Sequence, residues 1–297
     1  MTGQSIGKGS IAVPSPATLE RPWRGPGAAR PSGIPLPPGR MPAWRGARLL
    51  KRWHYVGVYG PDLMLCAGTA RIGPARQAWW AVWDRDRRRL YQRTRPGGGG
   101  GRVRVEPRIV AVHDSDVEVD LRLEEGAAVE VVTPDPGGYA WTRKDGAATA
   151  HGSVRAGGRA WGLERPAFVD VSAGYHPRRT SWRWSAGHGT VADGRTVAWN
   201  LVEGVHDSAQ DSERTLWVEG QPSEIGPVRF AADLSRVEFS DGGELAFHRE
   251  ATRRRDDNLV LIRSRYEQPF GAFAGRLPGG LELAEGYGVM ERHDALW

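Results

Sequence analysis

Short segments in which apolar and polar residues alternate constrain this chain more than any other feature. Within residues 170–207, the indoles of Trp182 and Trp184 alternate with polar side chains. A strand here would therefore place the indoles on one face and the polar groups on the other. The dipeptide Asp193-Gly194 favours a hairpin turn, because both residues tolerate the positive φ that tight turns need, and a second alternating segment follows it. The sequence predicts a β-hairpin with an aromatic wall.

The same pattern recurs along the chain. Short alternating segments are separated by Gly-, Asp- and Pro-containing turn signals, and no segment has a helical period over ten residues. This succession is typical of an all-β barrel or sandwich, and 297 residues allow two consecutive antiparallel units. Residues 1–32, rich in Pro and Gly and basic, are predicted to be a disordered tail. The units are predicted at 33–165 and 166–297, with the boundary near Pro166.

Net charge suggests nucleic acid as a partner, but its distribution argues against one. The chain carries +6, yet residues 1–45 alone hold six basic residues and one acidic residue. The remainder is close to neutral, whereas a nucleic-acid domain concentrates positive charge on its folded body. Only three of the 41 basic residues are lysines, Lys8, Lys51 and Lys144, a bias that we attribute to coding composition. No nucleic-acid partner is predicted.

Several other classes of protein are excluded by what the sequence does not contain. No stretch approaches the roughly 18 apolar residues of a membrane span, so no stable membrane insertion is expected. The first residues have no signal-peptide core, and the single cysteine, Cys66, fits a reducing compartment. We therefore expect a cytoplasmic protein with a buried, inert thiol. Scattered histidines give no metal-ligand spacing, so neither a metal nor a cofactor is predicted. The oligomeric state stays open.

Four segments together resemble one family. They are residues 51–59 (KRWHYVGVY), 174–184 (GYHPRRTSWRW), 199–204 (WNLVEG) and 286–293 (GYGVMERH) with Trp297. The chain, from about residue 33 to its end, is similar to the bacterial family of domains of unknown function numbered 2804. That family is similar in turn to the calycin group, which includes carotenoid 1,2-hydratase and tocopherol cyclase. The resemblance implies two consecutive lipocalin-like β units, and it implies no reaction.

Two kinds of small-molecule function fit these features. One is a cofactor-free enzyme that hydrates, cyclises or isomerises a terpenoid, polyene, polyketide or lipid, because such reactions need an acid in a dry aromatic pocket. The predicted catalytic residues are Asp170, Glu203, Glu291 and His293. The predicted ligand-binding residues are His176, Arg178, Arg179, Trp182, Trp184, Trp199, Asn200, His206 and Tyr287.

The other function is binding of a lipid or pigment without chemistry, which needs the same tryptophans in a β-barrel pocket. A third hypothesis, two barrels used as a scaffold for another protein, predicts filled interiors and an exposed apolar patch. Each carboxylate also has a purely structural interpretation, such as an ion pair of Asp170 or Glu203 with Arg178 or Arg179. Convergence of desolvated ionisable groups would distinguish an enzyme from a binder.

Overall fold

The computed structural model describes residues 19–259 and 262–297. In these residues the chain is built of β-strands, with three short 3₁₀ turns at Gly27–Ala29, Gly97–Gly101 and Pro278–Gly280. The strands of the first half are β1 (Trp23–Gly25), β2 (Trp44–Arg45), β3 (Arg48–Leu49), β4 (Lys51–Tyr59), β5 (Leu63–Ile72), β6 (Ala75–Asp84), β7 (Arg89–Pro96), β8 (Val103–Glu106), β9 (Ile109–Asp114), β10 (Val117–Glu124), β11 (Val129–Asp135), β12 (Gly138–Ala156) and β13 (Arg159–Gly174). Those of the second half are β14 (Arg179–Val191), β15 (Thr196–Glu203), β16 (Thr215–Val218), β17 (Gln221–Glu224), β18 (Val228–Phe230), β19 (Arg236–Phe239), β20 (Glu244–Leu259), β21 (Ile262–Leu277) and β22 (Leu281–Leu296).

The two large sheets have the same connectivity. The first has the strand order β7-β6-β5-β4-β13-β12-β10-β9-β8, with β11 added to β12 and β1 to β11. The second has the order β17-β16-β15-β14-β22-β21-β20-β19-β18. Each sheet contains a four-strand meander, β4 to β7 in the first and β14 to β17 in the second. The first strand of each meander also pairs with the last strand of its unit: β4 with β13, and β14 with β22. All of these pairs are antiparallel, which confirms the prediction of two consecutive lipocalin-like β units.

The chain passes between the sheets later than the proposed boundary at residue 165. Strand β13 runs through that position without a break, because Pro166 still lies in register with Thr149 of β12. The crossing falls at residues 175–178, before β14 begins. The predicted hairpin follows at once: β14 pairs with β15 across a turn in which Gly194 has φ of 89°.

The predicted tail, residues 1–32, is described only in its second part, since residues 1–18 lie outside the described residues. Trp23–Gly25 adds a strand to β11. The Arg24 guanidinium donates hydrogen bonds to the Ser212 carbonyl (2.6 Å) and to Thr215 Oγ1 (3.0 Å) in the second unit. This segment therefore ties the two units together.

Each unit has an apolar interior, and the units share a third core between them. Strand parity explains the division: on β4, Val56 and Val58 face the interior of the first unit, whereas Tyr55 and Tyr59 face the second unit. The shared core also contains Phe168 from β13. Its members from the second unit are Trp184, Ala186, Ala198, Val202, Trp217, Phe270 and Val289. Folding of each unit thus leaves one apolar face that only the other unit covers.

Replacement of Phe168 by Ala should test this coupling. The Phe168 ring is fully buried, 5.8 Å from the ring of Trp184 and 6.2 Å from that of Trp217. We expect F168A to lower the free energy of unfolding by about 3–5 kcal/mol, with both units still unfolding in one transition in urea. W44A, at an indole that is 59 % exposed, is the control and should change stability by less than about 0.5 kcal/mol. Two separate transitions in the wild-type protein would contradict a shared core.

Candidate functional site

A cavity of about 370 Å³ lies between the two units. The first and last strands of both units, β4, β13, β14 and β22, each contribute to its wall, and the long β20–β21 hairpin covers one side. The cavity is thus formed by the faces that each unit turns toward the other, and not by the interior of one barrel, where the sequence predicted it. Its size is within the range of small-molecule sites.

Aromatic side chains make most of the apolar wall. The indoles of Trp53 and Trp182, one from each unit, are stacked with ring centroids 6.4 Å apart. Tyr55 and Trp184 meet edge to face at 5.5 Å. The Trp79 indole packs closely on the neighbouring strand β5 because residue 68 is glycine: a Cβ there would fall 2.3 Å from the indole. These rings offer π faces to an apolar or cationic guest.

Glu291 is the acid at the centre of this wall. One carboxylate oxygen accepts a hydrogen bond from Trp182 Nε1 (2.9 Å), and the other accepts from the Tyr266 hydroxyl (2.9 Å) and Gln268 Nε2 (3.0 Å). Burial raises the pKa of Glu291 to about 7, the nearby Asp170 carboxylate adds to the shift, and the donors oppose it. Glu291 can therefore give up or take a proton near neutral pH.

His293 lies two residues further along the same face of β22. Its ring centroid is 4.4 Å from that of Trp182 and 5.3 Å from that of Tyr266, and its Nε2 lies 2.8 Å from Ser264 Oγ. Burial among these groups lowers the pKa of His293 to about 4. The imidazole is neutral at physiological pH and is able to accept a proton.

A second polar group occupies the wall on the β12–β13 side. The Lys144 ammonium is 2.7 Å from the Asp170 carboxylate and 3.4 Å from that of Glu213, and all three side chains are buried. Burial lowers the pKa of Lys144, but the two carboxylates outweigh it and the net shift is upward. Burial also raises the pKa of Asp170, although Lys144 opposes it. Because one ammonium lies between two carboxylates, the cluster of Lys144, Asp170 and Glu213 is able to hold an additional proton.

Seven of the residues singled out from the sequence are brought together in this cavity. They are Asp170, His176, Trp182, Trp184, His206, Glu291 and His293. The alternation correctly put Trp182 and Trp184 on one face, because strand parity fixes faces.

The other six lie elsewhere. Trp199 is fully buried in the interior of the second unit, where its Nε1 donates to Ser185 Oγ (3.1 Å). Asn200 is one layer behind the wall and accepts from Trp184 Nε1 (2.8 Å). Glu203 pairs with Arg183 (3.3 Å) outside the cavity. Arg178 and Arg179 are exposed, and the Tyr287 ring packs against the Arg85 guanidinium (4.7 Å).

Sequence reasoning did not single out several residues that complete the wall. They are Lys51, Trp53, Tyr55, Lys144, Glu213, Arg253, Tyr266 and Trp297. One signal was available for two of them: in a chain whose basic residues are nearly all arginines, both lysines of the folded body, Lys51 and Lys144, are buried here. Coding bias does not explain that placement.

Residues 19–259 and 262–297 contain neither a metal-binding cluster nor a membrane-spanning helix. No group of three or more His, Cys, Asp or Glu side chains there is arranged to hold a metal ion. No helix in the same part of the chain has the length and apolar character needed to cross a membrane.

Buried neutral histidines should make the protein labile to acid. Burial lowers the pKa of His54, His188 and His293 to about 4, and that of His176 and His206 also lies below its ordinary value. The unfolded chain binds these protons near pH 6.5, so the stability present above that pH is lost as the pH falls toward 4. We expect the free energy of unfolding in urea to decrease steeply from pH 7 to pH 4.

A single substitution should remove the contribution of one histidine to this pH dependence of the unfolding free energy. H188Q is expected to reduce the slope by up to about 1.4 kcal/mol per pH unit. H113Q, at an exposed histidine paired with Asp120, is the matched control and should keep the wild-type slope. Equal slopes for H188Q and the wild type would contradict the assignment of a neutral His188.

Comparison with known proteins agrees with the fold. Residues 97–297 match the model of a domain of unknown function, DUF2804; residues 51–59, one of the four segments on which the resemblance was inferred, lie outside the matched range. No curated protein matches the chain significantly in sequence. A crystal structure from Nitrosomonas europaea described as AttH is 13 % identical with a TM-score of 0.52, covering 87 % of this chain and 98 % of that one. Kievitone hydratase from Nectria haematococca is 9 % identical with a TM-score of 0.48, covering 82 % and 88 %. Because the DUF2804 match spans more than half of its residues, the chain belongs to the DUF2804 family.

Proposed function

We propose that the protein binds a largely apolar small molecule between its two units and transfers a proton to it from Glu291. The observation that supports this most directly is a carboxyl group at the wall of an aromatic cavity, with its pKa raised by burial to about 7. An acid of this kind is protonated in a useful fraction at neutral pH, as a general acid must be. The ligand class is a terpenoid, polyene, polyketide or lipid.

The reaction needs no cofactor. The Glu291 proton passes to a carbon of the ligand double bond, and the positive charge that develops lies against the faces of Trp53 and Trp182. Addition of water to the cation, attack by a second double bond, or loss of a neighbouring proton completes a hydration, a cyclisation or an isomerisation. The released proton returns to the Glu291 carboxylate directly or through the neutral imidazole of His293.

Binding without chemistry is the second candidate, and one observation favours it. All three hydrogen-bond donors around Glu291 already point at its oxygens, so the carboxyl is satisfied without a ligand. A buried acid that is fully satisfied also occurs as a structural element. The two candidates differ in what the substitution of Glu291 by Gln does to stability and to the ligand.

E291Q should be stabilised relative to the wild type as the pH rises. A pKa raised from 4.5 to about 7 in the folded protein contributes stability below pH 4.5 that is lost as the pH rises through 7. The amide does not ionise and has no such loss. We expect the difference in free energy of unfolding to move in favour of E291Q by about 2 kcal/mol between pH 5 and pH 8. E118Q, which makes the same charge change at an exposed ion pair, should show no such movement. A pH-independent difference for E291Q would contradict the buried-acid assignment.

Mass spectrometry of co-purified small molecules tests the chemistry. If Glu291 is the proton donor, E291Q should retain an unreacted ligand, and incubation of that ligand with wild-type protein should convert it to a product of equal mass or of one added water. Conversion should decrease above about pH 7, where the Glu291 carboxyl ionises. The charged and titrating groups around Glu291 are Asp170, Arg253, Tyr266 and His293. E203Q, at the carboxylate outside the cavity, should convert the ligand like the wild type. Identical ligands that E291Q and the wild type both leave unchanged would establish a binder instead.

A further inference from the structure

Lys51 is a buried cation in the cavity wall without an ion pair among the described residues. Its side chain is 3 % exposed. Its Nζ donates one hydrogen bond to the backbone carbonyl of His176 (3.0 Å) and lies 5.4 Å from the ring of Trp297. An ammonium has three N–H donors, so this environment leaves part of its capacity unused. A buried charge is costly unless it is paired and hydrogen-bonded.

The neighbouring charges do not compensate Lys51. The guanidinium of Arg48 lowers the pKa of Lys51 further, after burial, to about 8, and Arg48 itself is paired with Asp135. The two buried carboxylates of the cavity wall on the β12–β13 side, Asp170 and Glu213, are engaged with Lys144. The end of the cavity at Lys51 therefore holds a positive charge that no described protein group neutralises.

A third buried cation of the cavity wall, Arg253, is in a different situation from Lys51 and Lys144. Its guanidinium lies over the ring of Tyr266 (4.9 Å) and over that of Trp79 (5.6 Å), and Nη2 donates to Thr94 Oγ1 (2.8 Å). Two π faces partly replace a counter-ion. It also lies close enough to Glu291 to oppose the rise in the pKa of that acid. Lys51 has one such face, that of Trp297, and no ion pair among the described residues.

Two histidines add hydrogen-bonding groups at the same end. His176 and His206 are buried, line the cavity and meet edge to face with ring centroids 5.5 Å apart. His176 Nε2 and both ring nitrogens of His206 have no hydrogen-bond partner among the described residues. Such orphaned polar atoms are rare in protein interiors and call for a partner. A neutral imidazole carries one N–H donor.

We propose that Lys51, His176 and His206 form the head-group subsite of the cavity and bind the carboxylate of an apolar acid. The ligand carboxylate supplies the missing counter-ion for Lys51 and accepts hydrogen bonds from the two imidazoles. This inference rests on the proposed ligand-binding function and specifies its substrate class: an apolar molecule with one carboxylic acid at its end.

The subsite and the proton donor are placed to act on one molecule. The Trp297 ring lies between them, 5.4 Å from Lys51 Nζ and 5.9 Å from the His293 ring, and Trp53 is stacked on His176 (5.1 Å) as well as on Trp182. An acid held at Lys51 thus extends its hydrocarbon body over the indoles toward Glu291. The carboxylate fixes which double bond reaches the proton.

Matched pairs of probes test the head group. Retinoic acid and retinol share one polyene body, and dodecanoic acid and dodecanol share one alkyl chain; in each pair only the acid carries the carboxylate. Their affinities are measured by displacement of the neutral dye Nile red from the full-length protein. We expect each acid to bind about 10- to 100-fold more tightly than its alcohol, the worth of a charge-assisted hydrogen bond in a buried site.

Three variants assign the preference to a residue. K51M keeps the aliphatic stem and removes the ammonium; it should reduce acid binding to the level of the alcohol, leave alcohol binding within about twofold, and raise the melting temperature because a buried unpaired charge is gone. R104M removes one charge from an exposed strand and should keep the acid preference. R253M removes the buried guanidinium near Glu291 and tests whether Arg253 carries the preference.

The outcomes separate this inference from the proposed function. Equal affinities for acid and alcohol, equal losses of both in K51M, or loss of the preference in R253M alone would each overturn the Lys51 subsite while leaving a cavity that binds Nile red. Displacement by none of the four probes would overturn it as well. Failure of the wild-type protein to bind Nile red, together with absence of a co-purified molecule, would overturn the proposed function itself.

Discussion

The packing of one unit against the other is the interaction on which the rest of this structure depends. Each sheet has two apolar faces at its centre, because the first and last strands of a unit pair there and turn alternate side chains to opposite sides. One face closes the interior of the unit. The other, with Tyr55 and Phe168 in the first unit and Trp184 and Val289 in the second, is covered only when the units meet. Burial of that surface stabilises the pair, and the incomplete fit between the two curved faces leaves the cavity.

Polar groups inside this contact are held in two ways. Glu291 is satisfied by three donors, and Lys144 by two carboxylates, so both meet the requirement that buried polar groups be hydrogen-bonded. His206 does not meet it with the described residues, and Lys51 has one hydrogen bond, to the His176 carbonyl, but no ion pair among them. The contrast is informative because all four side chains share one cavity. A ligand in the cavity would supply the partners that the second pair lacks.

The alternation of apolar and polar residues predicted the fold class, the hairpin and the faces of the strands, because the period of two in a strand can be read from consecutive residues. It therefore placed Trp182 with Trp184 on a common face. The pattern does not say which face meets the other unit, and for this reason Trp199, on the same hairpin, lies in an interior instead. Partners that come from distant parts of the chain, such as Glu213 beside Lys144 or Tyr266 beside Glu291, depend on long-range contacts that alternation does not encode. The resemblance of residues 51–59 and Trp297 to the family pointed to the right segments without giving their roles.

Placement of the cavity between two complete units has an evolutionary consequence. The acids and histidines of the site line the cavity between the units, whereas a separate set of apolar side chains forms the interior core of each unit, so selection for folding and selection for ligand act largely on different residues. Most mutations destabilise, and proteins tolerate them only while a margin of stability remains. Substitutions at the wall of this cavity affect the stability of the contact between the units and leave both interior cores unchanged. Sequences of this architecture can therefore exchange one guest for another along a short mutational path.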